Sequence, residues 1–189
     1  MKTYKLLLIF VAMAAGVSMS AQDFRADTDN SVLQWTGTKV IGKHYGKISL
    51  KEGEFTISDN KIISGSFVID MSSITNEDLS GGMKDKLLDH LKSDDFFSTS
   101  RHSLSTLEIT GSEPFSNNEA VVSGKLTIKD ITHPITFTVK RDGNTFTSGV
   151  TVDRTLYNIK YGSGKFFQNL GDNMISDNFE LEVTVKAIQ

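Results

Sequence analysis

The sequence predicts an all-β fold with one helix: an eight-stranded antiparallel β-barrel with a helical lid. Three observations carry this reading. Most of the chain alternates apolar and polar residues with a period of two. One stretch, residues 83–97 (MKDKLLDHLKSDDFF), has helical spacing instead. Turn signals break the alternation into about eight strands, the number that closes a barrel able to hold one small ligand. A two-sheet sandwich would satisfy the alternation too, but the long helix-bearing insertion between Ile74 and Arg101 favours a barrel with a covered mouth.

The chain opens on Lys2 and Lys5, then a continuous apolar run over residues 6–17, too short to span a bilayer comfortably. Ser18, Ser20 and Ala21 follow as a small-residue cleavage site, so residues 1–21 are expected to be a signal peptide. An uncleaved anchor is the alternative. Residues 22–189 then form one domain, exported to the periplasm or secreted. No Cys follows the apolar run, which excludes a lipoprotein anchor.

The strands come next. Leu33 and Trp35 begin the inward set. Ile48 and Leu50 sit among Lys47, Ser49 and Lys51, and Phe55 and Ile57 among Glu54, Thr56 and Ser58. Lys51-Glu52-Gly53 between those pairs reads as a turn, as do Asp59-Asn60, Asn117-Asn118 and Asp142-Gly143-Asn144. Phe67, Ile69 and Met71 continue the pattern, followed by Leu126 and Ile128, then Ile135, Phe137 and Val139. Phe179, Leu181, Val183 and Val185 close it. Each strand has one dry and one wet face. In the helical stretch Met83, Leu87 and Leu91 recur every four residues and Leu88 joins them, giving one apolar stripe with a Phe96-Phe97 tail. A membrane-spanning barrel would be apolar outside. Here the face opposite the large apolar residues is Lys, Glu, Ser and Thr, so no stable membrane insertion is expected.

Composition excludes several classes of function. Without residues 1–21 the chain loses Lys2 and Lys5 from its 20 basic residues and none of its 23 acids, leaving a net charge of −5. That balance argues against nucleic acid as a partner. The absence of Cys removes disulfides, thiolate catalysis and Cys metal sites together. The four histidines, His44, His90, His102 and His133, share no metal-ligand spacing, and no metal or cofactor is expected. His90 reads as a structural hydrogen-bonder, and His133 before Pro134 as a turn or strand entry. There is no nucleophile elbow; Gly162-Ser163-Gly164 reads as a turn. Asp94-Asp95 suits capping of neighbouring backbone. Arg154, where a strand should end, could grip a phosphate or carboxylate bidentately or form a structural ion pair. No catalytic set emerges.

Four blocks together resemble the YceI-like family of polyisoprenoid- and lipid-binding exported proteins. They are GSFVIDMSSI (65–74), HLKSDDFF (90–97), GKLTIKDITHPITF (124–137) and DRTLYNIKYGSGKFFQNLGDNMISDNFEL (153–181), in the family's order. The last resembles versions found in Bacteroidetes-type bacteria. The resemblance implies a lipocalin-like barrel whose cavity holds a long isoprenoid or related fatty amphiphile, often as a homodimer. Two departures concern the head-group end. Lys39 stands where family members often carry a His, and Arg101-His102 where Tyr-Pro is common. Lys39, Arg101 and Arg154 are therefore the head-group candidates, with Lys39 and Arg101 favouring an anionic head.

Strand parity places the lipid-binding lining at Leu33, Trp35, Ile48, Leu50, Phe55, Phe67, Ile69, Met71, Leu126, Ile128, Phe137 and Val139, with Leu87, Leu91 and Phe97 from the lid. The same residues would serve equally as a filled core. The expected function is sequestration or transport of a long apolar chain in the periplasm. A lipid-acting enzyme using His44, His90 or Asp94, and a packed barrel serving as a stress-related interaction module, are the alternatives.

Overall fold

The computed structural model describes residues 21–189. The expected signal peptide lies, Ala21 excepted, outside the described residues. Eight strands follow one another around a closed antiparallel barrel: β1 (Gln22–Lys39), β2 (Lys43–Ser58), β3 (Lys61–Asp70), β4 (Leu104–Ser112), β5 (Glu119–Ile128), β6 (Ile131–Asp142), β7 (Thr145–Asp153) and β8 (Ile175–Ile188). β8 returns to β1, with Leu33 opposite Val183 and Trp35 opposite Leu181. The sandwich is thereby excluded.

One end of the barrel carries tight hairpins. Asp59-Asn60 and Asn117-Asn118 both have positive φ, the conformation that a right-twisted hairpin turn demands and that Asn and Asp tolerate. At this end the rings of Phe24, Phe55 and Phe146 pack together, Phe24 stacked on Phe55 at 5.1 Å and Phe146 edge-on to Phe55 at 4.9 Å. The Arg141 guanidinium covers Phe24 and Phe146 at 5.9 and 5.5 Å. The opposite end carries both long excursions, 71–103 and 154–174, together with the β1–β2 turn and a tight Lys129-Asp130 turn, again with both φ positive.

Three sequence expectations change here. Lys51-Glu52-Gly53 is not a turn: β2 runs straight through it, and its register against β3 slips between Leu50 and Glu52. This is a bulge, where an extra residue switches the inward face from Ile48 and Leu50 to Phe55 and Ile57. From sequence alone a change of parity looks like a break. Helix α1 is Gly81–Lys92, not 83–97. Ser93 ends it by bonding His90 O through both backbone N–H and Oγ. Phe97 N then reaches Leu91 O, folding the buried Phe96 and Phe97 back beneath the helix. Met83 does not share the buried stripe: it is 67% exposed, whereas Leu87 and Leu91, one and two turns further on, border the cavity.

The strap 71–79 leads from β3 to α1 along the free side of β2. Thr75 N donates to Lys47 O (2.8 Å), Glu77 N to Tyr45 O (2.9 Å), and the Trp35 indole N–H to Thr75 O (3.0 Å). This approach requires Gly46, since a Cβ there would stand 2.0 Å from Thr75 O. Between β6 and β7, pairing is confined to Lys140–Thr147, Arg141–Phe146 and Asp142–Thr145. Beyond it the strands diverge, bridged by Ser148 Oγ donating to Thr138 O (2.8 Å).

Gly46→Ala is expected to cost about 1–3 kcal/mol, because backbone on both sides must move. Urea unfolding should show a lowered midpoint with an unchanged slope; an unchanged midpoint would mean that the strap can lift freely.

Candidate functional site

The inward face of the sheet is mostly apolar, yet many inward residues are not fully buried. Phe67, Ile69, Leu107, Ile135, Phe137, Val150, Leu181 and Val183 all keep accessible surface. The barrel is wider than its side chains, and the residue is a cavity of two chambers. The one towards the hairpin end is about 130 Å³ and lined by aliphatic and aromatic groups with Thr147 and Ser148. The one beneath α1 is about 270 Å³. Leu33, Ile69, Leu126 and Leu181 border both and form a waist between them. An apolar cavity of about 150 Å³ already accepts a benzene-sized group and stays dry.

Every apolar residue expected in the lining borders one of these chambers. Leu50, Phe55, Phe67, Phe137 and Val139 lie around the inner one. Trp35, Ile48, Met71, Leu87, Leu91, Phe97 and Ile128 lie around the outer one. β4 and much of β8 contribute as well, through Leu107, Ile109, Phe179 and Val183. The β8 residues were visible in the alternation. β4 was harder to read because its first inward residue is Ser105, whose Oγ is satisfied by Thr127 O at 2.6 Å.

The head-group candidates divide. Lys39, at the end of β1, borders the outer chamber, and its Nζ has no partner among the described residues. Arg101 does not reach the cavity. It is exposed and pairs with Asp94 (2.8 Å), which also accepts from Ser98 Oγ (2.6 Å). A tight turn after α1 holds Arg101 to its own loop. Arg154 borders the chamber but is spent on structure. Only 2% exposed, it donates from Nε to Ser176 O (2.9 Å), from Nη1 to Ile159 O (2.8 Å) and from Nη2 to Ile175 O (3.1 Å). Its guanidinium also lies 5.6 Å from the Phe96 ring. Burial pulls its pKa below the usual value, against Asp177 and Asp153. The fork thus clamps the 154–174 excursion to the start of β8, with three of its five N–H groups bound to backbone carbonyls and Asp177 Oδ1 3.9 Å from Nη2.

The sequence reading did not assemble the rest of the mouth. His44, opposite Gly37 on β1, borders the outer chamber with its Nδ1 2.7 Å from Asp78 Oδ2. Asp78 also accepts from Tyr45 N (2.9 Å) and from the fully buried Asn76. Burial opposes ionisation of Asp78, but the Tyr45, His44 and Asn76 hydrogen bonds outweigh it and hold its pKa below the ordinary 3.8. His44 Nε2 has no partner among the described residues. The His90 ring has no hydrogen bond among the described residues and serves as an aromatic partner, packed edge-on to Tyr161 (4.3 Å) and Phe96 (5.6 Å). Lys39, His44, His90, Tyr161, Asn173 and Asn178 therefore ring the mouth with polar groups above an apolar chamber. Among the described residues neither His44 nor His90 is hydrogen-bonded to a nucleophile, and no three His, Asp or Glu side chains are grouped to hold a metal.

Two outcomes follow from the polar anchors. Arg154→Lys should cost about 2–4 kcal/mol, because an ammonium concentrates its three donors on one atom and lacks the fork that reaches carbonyls on two segments; proteolysis within 154–174 should accelerate with it. Asp78→Asn should be less stable than the parent at neutral pH by about 1–2 kcal/mol. A depressed carboxyl pKa supplies stability above its unfolded value and loses it as pH falls through its folded one. The two melting temperatures should therefore converge as pH drops below 3.8; a constant gap would assign the effect to packing.

Comparison with solved structures shows the same fold in several proteins. Burkholderia cenocepacia BcnA aligns with a TM-score of 0.67 at 20% identity, over 87% of this chain and 99% of its own. A polyisoprenoid binding domain from Saccharophagus degradans, implicated in plant cell wall breakdown, aligns at 0.57 and 15% identity, over 87% and 97%. A Campylobacter jejuni YceI protein aligns at 0.52 and 14% identity over the whole of both chains. No curated protein matches the sequence. The YceI-like domain family matches residues 24–187, which spans the barrel from the first turn of β1 to the end of β8, and the chain belongs to that family.

Proposed function

We propose that this barrel is a binding protein, not an enzyme, and that it holds the hydrocarbon chain of a long isoprenoid or related amphiphile for sequestration or transport outside the cytoplasm. The observation that carries this reading is the unfilled interior: two apolar chambers joined at a waist, beneath a polar mouth. A polyisoprenoid binding domain shares the fold, which supports the same chemistry.

The energetics suit a long ligand. Each methylene taken from water contributes about 0.8 kcal/mol. Ordering a flexible chain opposes binding, and affinities saturate near about −18 to −21 kcal/mol. Such a site needs length and dryness more than exact contacts, and tolerates one methylene more or less. Discrimination falls to the mouth, where the Lys39 ammonium, unpaired among the described residues, and the Asp78-oriented His44 favour a head group that accepts hydrogen bonds or carries negative charge.

Ile69→Phe tests the reading at the waist. A barrel with room there should melt within a few degrees of the parent but lose its ligand, read by mass spectrometry of an organic extract from protein purified without detergent. A large stability loss, or a parent protein that extracts clean, would mean that the interior is a packed core. A neutral isoprenoid binding as tightly as its phosphate form would remove the anionic-head reading while leaving the cavity intact.

A further inference from the structure

The rim of the mouth has a property that ligand binding does not require. Two loops there are built alike, with apolar residues between lysines. The β1–β2 turn reads Lys39-Val40-Ile41-Gly42-Lys43, with Val40 53% and Ile41 70% exposed. The loop after β7 reads Lys160-Tyr161-Gly162-Ser163-Gly164-Lys165-Phe166-Phe167, with Phe166 and Phe167 about half exposed. Neither segment contains an acid, although the chain from residue 22 onward is net negative.

The two loops are neighbours. Val40 N donates to Met174 O (3.2 Å), and Ile175 N to Gly162 O (2.8 Å). Met174, itself 41% exposed, packs its sulfur against Gly164. Tyr161 rests on His90, which ties the same patch to α1, where Met83 projects a further apolar side chain into solvent. Lys160 Nζ lies over the Phe166 ring at 5.0 Å, and none of Lys39, Lys43 and Lys160 has an acidic partner among the described residues, whereas Lys165 is paired with Asp153 (2.9 Å) and Asp177 (3.4 Å). A contiguous exposed apolar patch with a polar border marks an interaction surface.

We propose that this rim docks reversibly on a bilayer containing anionic lipid, bringing the cavity mouth to the membrane interface. Charge selects this partner. A second copy meeting the patch about a two-fold axis would set lysine against lysine, whereas anionic head groups attract Lys39, Lys43 and Lys160 and the headgroup–acyl boundary accepts Ile and Phe. Position agrees, since the patch surrounds the opening of the apolar cavity. The proposal extends the lipid-binding reading, but Ile41, Lys43, Phe166 and Phe167, on which its test rests, lie outside the cavity wall.

Co-sedimentation tests it, using the protein from Gln22 onward, which contains all eight strands, with vesicles of phosphatidylcholine alone or mixed with phosphatidylglycerol. The protein should sediment with the mixed vesicles and much less with the neutral ones. Ile41→Asp and the double variant Phe166→Ser with Phe167→Ser should each lower partitioning at least about tenfold, and Lys43→Glu by about fivefold or more. All three should still bind a fluorescent fatty acid in solution without vesicles. Failure of the parent to sediment, or variants that sediment like it, would overturn the docking surface. So would light scattering that shows a dimer dissociated by Ile41→Asp in the absence of any vesicle binding. If fatty-acid binding fails while docking persists, the cavity reading falls and the surface stands.

Discussion

Closure of the sheet is the constraint on which everything else depends. Once β8 pairs with β1, every strand turns one face to a single enclosed space, and that face must be apolar wherever water is to be excluded. Two of the strands are long, 18 residues in β1 and 16 in β2, and neither keeps one register throughout. Slips between Arg25 and Leu33, and between Leu50 and Glu52, let a strongly twisted strand continue while its inward face is re-set to apolar residues. The bulges are what keep a long barrel dry along its axis. With the perimeter determined by eight strands, aliphatic side chains do not meet across the middle, and the cavity is the geometric remainder.

The two ends resolve that remainder differently. At the hairpin end, Phe24, Phe55 and Phe146 narrow it to the smaller chamber, and Arg141 covers Phe24 and Phe146. At the other end the chain inserts two excursions and anchors each with a polar group at low exposure. Arg154 holds the 154–174 excursion through three backbone carbonyls, and Asp78 gathers Tyr45, His44 and Asn76 beneath the strap. Burying charge is tolerable only when it is so fully partnered. These anchors bring Lys39, His44, His90 and Tyr161, from four separate segments, to one opening. The same construction leaves Val40, Ile41, Phe166 and Phe167 outside, because the lips of an open barrel have no second layer to cover them.

Local pattern alone determined the sheet, its dry face, the existence of one helix and many of the apolar residues that border the cavity, because a period of two is enforced at every residue by the pleat. Family motifs in four blocks added the barrel's kinship. Three-dimensional packing decided what periodicity cannot express. A bulge and a turn both appear in sequence as a change of parity, so Lys51-Glu52-Gly53 was indistinguishable from a hairpin until β3 was seen pairing past it. Met83 fits the helical stripe yet is exposed, since the stripe says which side of the helix is apolar and not how much of that side is covered. Arg101 and Arg154 looked alike as candidate head-group cations; one is held by Asp94 on the surface and the other is consumed by carbonyls up to 22 residues away. Which cation is free is a property of partners brought together by chain closure, and that information is distributed over the whole fold instead of residing in any one segment.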